Sequence, residues 1–277
     1  MSKSHKEVKM AIITISRGSY SKGKQIAEKV AKTLGYECIS REVLLEASTE
    51  FNIPEVKLVR AIHDAPSILS RFAYGKEKYI AYIRAALLRH FKENNIVYCG
   101  LAGHFFVSGV SHVLKVRILA DFQDRVRLEM AREGISDRQA AHILKHDDDE
   151  RRKWSKHLYG IDTWDPYLYD LVIHVRKINI DHAVDIICDT AKLENFMATP
   201  ESQKAIENLA LAAEVRAAIV NLKPDVEVAA SDGVVMIKTT INESKEGSMI
   251  RKIENMAGSV PGVNDVKIEV FPIDPID

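Results

Sequence analysis

Gly18-Ser19-Tyr20-Ser21-Lys22-Gly23-Lys24-Gln25 decides how this chain is read. It follows Met10-Ala11-Ile12-Ile13-Thr14-Ile15, a continuous apolar run of the kind that forms a central strand buried on both faces of a parallel sheet. It precedes Ile26, Val30 and Leu34 at i, i+4, i+8, with Glu28, Lys29 and Lys32 between them. That spacing predicts an amphipathic helix, which Gly35 is placed to end. A G-x-x-x-x-G-K sequence between such a strand and such a helix predicts a bend whose backbone N–H groups, aimed by the helix N-terminus, wrap a phosphate. Gly18, Ser19, Tyr20, Ser21, Lys22, Gly23, Lys24 and Gln25 are the expected phosphate-binding residues, with Lys24 adding a mobile positive charge. Gln25 stands where such loops usually place a Mg2+-holding hydroxyl.

Outward from this segment, buried strands are predicted at residues 36–39, 96–99, 113–119 and 171–175, alternating with helical periodicity such as Ile80, Ile83, Leu87 and Phe91. Strand alternating with helix predicts a parallel, doubly wound α/β sheet. Two further helices are expected after the fourth strand, one through Phe122, Val126 and Met130, the other over about 137–157. Near Thr199-Pro200 the pattern changes to helix, strand, Ser231-Asp232-Gly233 turn, strand, helix, strand, a small α+β (αββαβ) unit of about 75 residues that can fold by itself. The expected domains are therefore 1–198 and 199–277.

With 277 residues, two unequal domains are the natural expectation. Residues 199–277 hold 8 Lys+Arg and 13 Asp+Glu, so the neutral total conceals a basic excess on the first part. That excess suits an anionic small molecule and falls short of what nucleic-acid binding normally shows. Cys38, Cys99 and Cys188 sit singly in apolar stretches and read as reduced core residues. The opening apolar run is too short for a secretory segment, and no stretch approaches a transmembrane helix, so cytoplasmic residence is expected.

Several segments together resemble the cytidylate kinase-like family: Thr14-Ile15-Ser16-Arg17-Gly18, the loop itself, Gln25 to Ala31, Ile39 to Leu44, Ile96 to Gly100, Asp121 to Ile135, Asp148-Asp149-Glu150-Arg151, Asp165-Pro166 and Tyr169-Asp170. The likeness covers about residues 8–195. It implies a P-loop kinase-type parallel sheet flanked by helices, ATP and Mg2+ as cofactors, and transfer of the γ-phosphoryl group of ATP to a nucleoside monophosphate such as CMP or dCMP. Lys24, Arg125 and Arg151 are the implied catalytic residues, Arg152 a lid residue and Arg41 the acceptor-binding residue. No metal-ligand set on the protein is expected. Ser40 and Leu101 depart from the family pattern, as Gln25 does. A non-catalytic nucleotide-binding sensor with a degenerate site is the alternative, and kinase action on a non-nucleotide small molecule a third reading.

The C-terminal segment is similar to a BON domain in Val226-Glu227-Val228, Asp232 to Val235 and Gly262 to Val266, which implies a docking or ligand-sensing appendage with a protein or lipid contact. Asp147 to Arg151 and Asp148 to Arg152 are spaced as solvated i, i+4 pairs. His142 and His146 share a helical face without a third ligand in register. His104 lies in a turn where a polar side chain can face a ligand. Trp154, Tyr159 and Trp164 read as packing anchors.

Overall fold

The computed structural model describes residues 11–18, 22–40, 42–52, 75–100, 103–241 and 246–271. The described elements are β1 (Ile12–Arg17), α1 (Gly23–Leu34), β2 (Glu37–Ile39), α2 (Glu42–Glu50), α3 (Gly75–Phe91), β3 (Ile96–Cys99), α4 (Gly103–Phe106), β4 (Val113–Ala120), α5 (Phe122–Glu133), α6 (Asp137–Tyr159), β5 (Leu171–Val175), α7 (Ile180–Ala191), α8 (Pro200–Ile219), β6 (Glu227–Ser231), β7 (Val234–Thr240), α9 (Glu246–Gly258) and β8 (Asp265–Phe271).

The described residues fall into two compact units. The first holds those up to Glu42 and those from Glu93 to Ser202; the second holds those from Val43 to Lys92 and from Gln203 onward.

In the first unit five strands run parallel in the order β2-β3-β1-β4-β5. Alternation along the strands separates two faces of different character. Ile13 and Ile15 of β1, Val97 and Cys99 of β3, and Leu114, Val116 and Ile118 of β4 pack with Ile26 and Val30 of α1 and with Val184 and Ile187 of α7. Each such aliphatic side chain contributes about 1.5–3 kcal/mol on full burial. Thr14, Ser16, Tyr98, Lys115 and Arg117 occupy the alternate positions. Helix α1 ends as its sequence requires, on Gly35 at φ 71°. The Lys29 ammonium lies 2.5 Å from the Asp181 carboxylate.

The second unit contains the sheet β6-β7-β8, antiparallel then parallel. Asp232 and Gly233 both adopt the left-handed conformation that a two-residue hairpin turn demands. Val215, Ile219, Val235, Ile237 and Ile253 form the core under α8 and α9. The same unit takes in α2 and α3. Arg89 grips both carboxylate oxygens of Glu50 at 2.9 Å and reaches Glu214 of α8 at 3.3 Å. Tyr82 stacks on Phe51 with ring centres 3.9 Å apart, and its hydroxyl accepts from Asn221 at 2.8 Å.

Candidate functional site

Strand β1 sends the chain toward β2 on one side of the sheet, and β4 sends it toward β5 on the other. The carboxyl ends of this adjacent pair are thus where an open parallel sheet leaves a crevice. A cavity of about 300 Å³ lies there, floored by Ser16, Arg17 and Gly18 of the β1 end and by Arg117 to Ala120 of β4. Arg125 of α5, Asp148 and Arg151 of α6, and Thr163 and Trp164 beyond α6 complete its lining.

Among the described residues, four arginines and one carboxylate thus line the cavity. Arg125, only 9% exposed, places Nη2 2.8 Å from Oδ2 of Asp148, itself 20% exposed. Arg17 enters beneath α1, and a Cβ on Gly23 would fall 2.7 Å from its Cδ and 2.8 Å from its Cβ. Glycine at position 23 is thus what lets the helix start cross the arginine. The Arg17 Nε is buried and has no hydrogen-bond partner among the described residues. Burial first, then the charges of Arg17 and Arg125, push the Arg151 guanidinium below its usual value, with Asp147 and Asp148 opposing. An arginine remains charged through such a shift, so the crowding concentrates positive charge at the cavity.

Local sequence explains the placement. Ser136 and Gln139 form a reciprocal capping box that starts α6, the Ser136 N–H donating to Gln139 Oε1 at 3.0 Å. The helix then carries Asp148 and Arg151 to the cavity. The i, i+4 pairing expected of Asp148 and Arg152 is not what forms. Asp148 turns to Arg125, and Arg152 holds both oxygens of Asp162 at 2.6 to 3.0 Å while its guanidinium lies 4.5 Å from the Trp164 ring centre. Arg152, Lys156 and the Trp164 N–H hold the Asp162 carboxyl well below the usual carboxylate range. Trp164, expected as a packing anchor, is 53% exposed and lines the cavity instead.

Of the sequence-predicted site residues, the structure brings Gly18, Arg125 and Arg151 together. Lys22 adopts a left-handed conformation at φ 63° and caps α1 without a side-chain bond, and no acidic residue occupies that helix's first turn. Lys24 is 67% exposed, sits 3.7 Å from Glu28 and is not part of the cavity lining. Gln25 is exposed on α1. Ser19, Tyr20, Ser21, Arg41 and Leu101 lie outside the described residues. Arg17 and Arg117 were missed by the sequence reading, although a signal existed. Lys115 and Arg117 alternate with apolar residues in Val113–Ala120, and an arginine in a mostly buried strand needs a partner or a ligand. His104 is 6% exposed, and burial, then Arg117 and Lys115, lower its pKa to about 3.

Residues 12–177 match the cytidylate kinase-like family. The chain belongs to that family. Cytidylate kinases of Methanosarcina acetivorans and Methanosarcina mazei are 34% and 35% identical to it over 100 residues, 35% of this chain and 54% of each relative. The chain thus spans about half the length of the curated relatives it matches. An uncharacterized protein from Eubacterium ventriosum shares the fold with a TM-score of 0.50 at 22% identity, over 65% of this chain and 98% of that one. The parallel five-stranded sheet flanked by helices is the P-loop kinase-type architecture that the cytidylate kinase-like sequence implied. Among the described residues, no helix is long and apolar enough to cross a membrane.

Proposed function

We propose that this protein is a phosphotransferase that moves the γ-phosphoryl group of ATP to a nucleoside monophosphate of the CMP or dCMP type. One observation carries the reading: among the described residues, Arg17, Arg117, Arg125 and Arg151 line a single cavity together with one carboxylate. Phosphoryl transfer asks a protein mainly to place positive charge around the phosphoryl oxygens, and this donor set is suited to that. The four guanidinium groups would bind and orient the phosphates, with Arg125 and Arg151 nearest the catalytic role. Gly18 to Gln25 would supply backbone N–H groups and the Lys24 charge. Arg41 would grip the acceptor phosphate, and Arg152 would hold the Asp162–Trp164 wall as a lid element.

Mg2+, when bound with ATP, neutralises phosphate charge. Among the described residues no cluster of three or more His, Cys, Asp or Glu that could hold a metal ion is present. We further propose that residues 1–198 form the kinase-like domain and that residues 199–277 form a BON-like docking or sensing domain. The helix-strand-strand-helix-strand order of α8, β6, β7, α9 and β8 supports the latter.

The test is a coupled ADP-release assay with ATP, Mg2+ and each of CMP, dCMP, UMP and AMP. Turnover with a pyrimidine monophosphate is expected, and folded protein that turns over none of the four overturns the reading. A non-catalytic nucleotide sensor is the second reading, favoured by the lean of Lys24 on Glu28 and by Gln25 after it. It requires ATP or ADP binding by calorimetry with no transfer to any acceptor.

A further inference from the structure

We infer that Tyr169 is a positioning residue for the arginine-lined cavity, acting through Arg117 and Thr163 without lining the cavity itself. The inference rests on the cavity being a phosphate site, as proposed above. The Tyr169 hydroxyl meets three groups. Arg117 Nη1 donates to it at 3.1 Å, the Thr163 carbonyl accepts from it at 3.1 Å, and Ser16 Oγ lies 3.3 Å away. Ser16, Arg117 and Thr163 all line the cavity, and they come from β1, β4 and the segment after α6. A phenol has one proton and two acceptor positions. Because a carbonyl only accepts, that proton belongs to Thr163, which leaves the oxygen lone pairs to Arg117 and the Ser16 hydroxyl. One buried oxygen thus fixes three sectors of the wall relative to one another.

The ring holds the same partner by a second means, with the Arg117 guanidinium 5.5 Å from its centre. The His104 ring lies 5.0 Å from the same ring, and a histidine whose pKa is lowered to about 3 is neutral at working pH. It packs on Tyr169 without a charge that would repel Arg117.

The tyrosine is itself anchored by the segment the sequence singled out. Asp165 accepts from the Tyr167 N–H at 2.9 Å, and the Tyr169 N–H donates to the Pro166 carbonyl at 3.1 Å. Asp170 clamps β4 twice, its N–H donating to the Lys115 carbonyl and its carboxylate accepting from the Lys115 N–H, both at 2.8 Å. Asp165-Pro166 and Tyr169-Asp170 thus form a scaffold that fixes the phenol beside Arg117, two residues along β4 from the Lys115 clamp.

The experiment is a double-mutant cycle on full-length protein with inorganic tripolyphosphate as the probe, read by calorimetry at fixed salt. Tyr169→Phe keeps the ring and removes the hydroxyl, and Arg117→Met removes the guanidinium. Tyr169→Phe is expected to weaken tripolyphosphate binding about tenfold, the scale of one hydrogen bond to a charged group. In the Arg117→Met background the same change is expected to do little, because its effect passes through Arg117. Additive losses, or a lower melting temperature with unchanged affinity, would make Tyr169 merely structural and overturn the inference. If the cycle behaves as stated while no acceptor is phosphorylated, the kinase reading fails and the positioning role stands. If wild-type protein does not bind tripolyphosphate at all, the inference falls, and the turnover assay alone decides the kinase reading.

Discussion

Replacing Asp148 by asparagine is expected to move stability and anion affinity in opposite directions. Arg125 Nη2 and Asp148 Oδ2 are 2.8 Å apart, which puts the charge centres about 4 Å apart and the gross attraction near 4 kcal/mol at an effective dielectric of about 20. Asparagine keeps a hydrogen-bonding oxygen, and part of the gross attraction only offsets the desolvation of two charges. A net loss of about 2 kcal/mol follows. In a domain of this size that lowers the melting temperature by roughly 4–8 °C. Among the described residues, Asp148 is also the one carboxylate in a lining with four arginines, so in the variant an entering polyanion no longer has to oppose it. Tripolyphosphate should bind about tenfold tighter at low salt, with the gain shrinking as ionic strength rises. Thermal melting of the free protein and calorimetry with tripolyphosphate measure the two halves. Unchanged melting, or weaker binding, would refute the view that Asp148 serves as the internal counter-charge of the cavity.

Three other expectations are open to direct measurement. Ser136→Ala removes the capping box of α6 and should cost about 1 kcal/mol in urea denaturation. Gly233→Ala places a Cβ 2.3 Å from the Asn264 amide nitrogen at φ 80°, and should destabilise the second unit by at least about 2 kcal/mol with the cavity's tripolyphosphate affinity unchanged. Asp162 has a depressed carboxyl pKa, from an ordinary value of 3.8, so its stabilising effect is present above about pH 4 and is lost as pH falls through the folded-state value. The advantage of wild-type protein over Asp162→Asn, seen in Trp164 fluorescence in a Trp154→Phe background, should therefore be steady from pH 5 to 7. It should vanish in more acidic buffer, and salt should reduce it throughout, because the pair is only half-buried.

The sheet was legible because its strands are short apolar runs at helix-sized intervals, and all five lie within a residue or two of the expected positions. The β6–β7 turn was legible for a different reason, since Asp-Gly between alternating strands leaves few other conformations. The cavity was only half legible. Gly18 marks the end of β1, and Arg125 and Arg151 were found through the resemblance. Arg17 and Arg117, by contrast, sit inside strands, where attention goes to the apolar alternation rather than to what interrupts it. The partner of Asp148 was misjudged because helical spacing knows nothing of α5, which brings Arg125 within reach. The grouping of α2 and α3 with the C-terminal segment had no local signature, since Glu50, Arg89 and Glu214 reveal their association only after the chain has folded back.

That three-way grip has a consequence for how the protein is made. Arg89 and Glu214 are separated by 125 residues of chain, and Tyr82 and Asn221 by 139. At synthesis rates of roughly 5–20 residues per second, α3 waits on the order of ten seconds for its partner to leave the ribosome. During that interval Arg89 and Tyr82 of α3 lack these partners, and a ribosome that stalls before residue 214 leaves both bonds unmade.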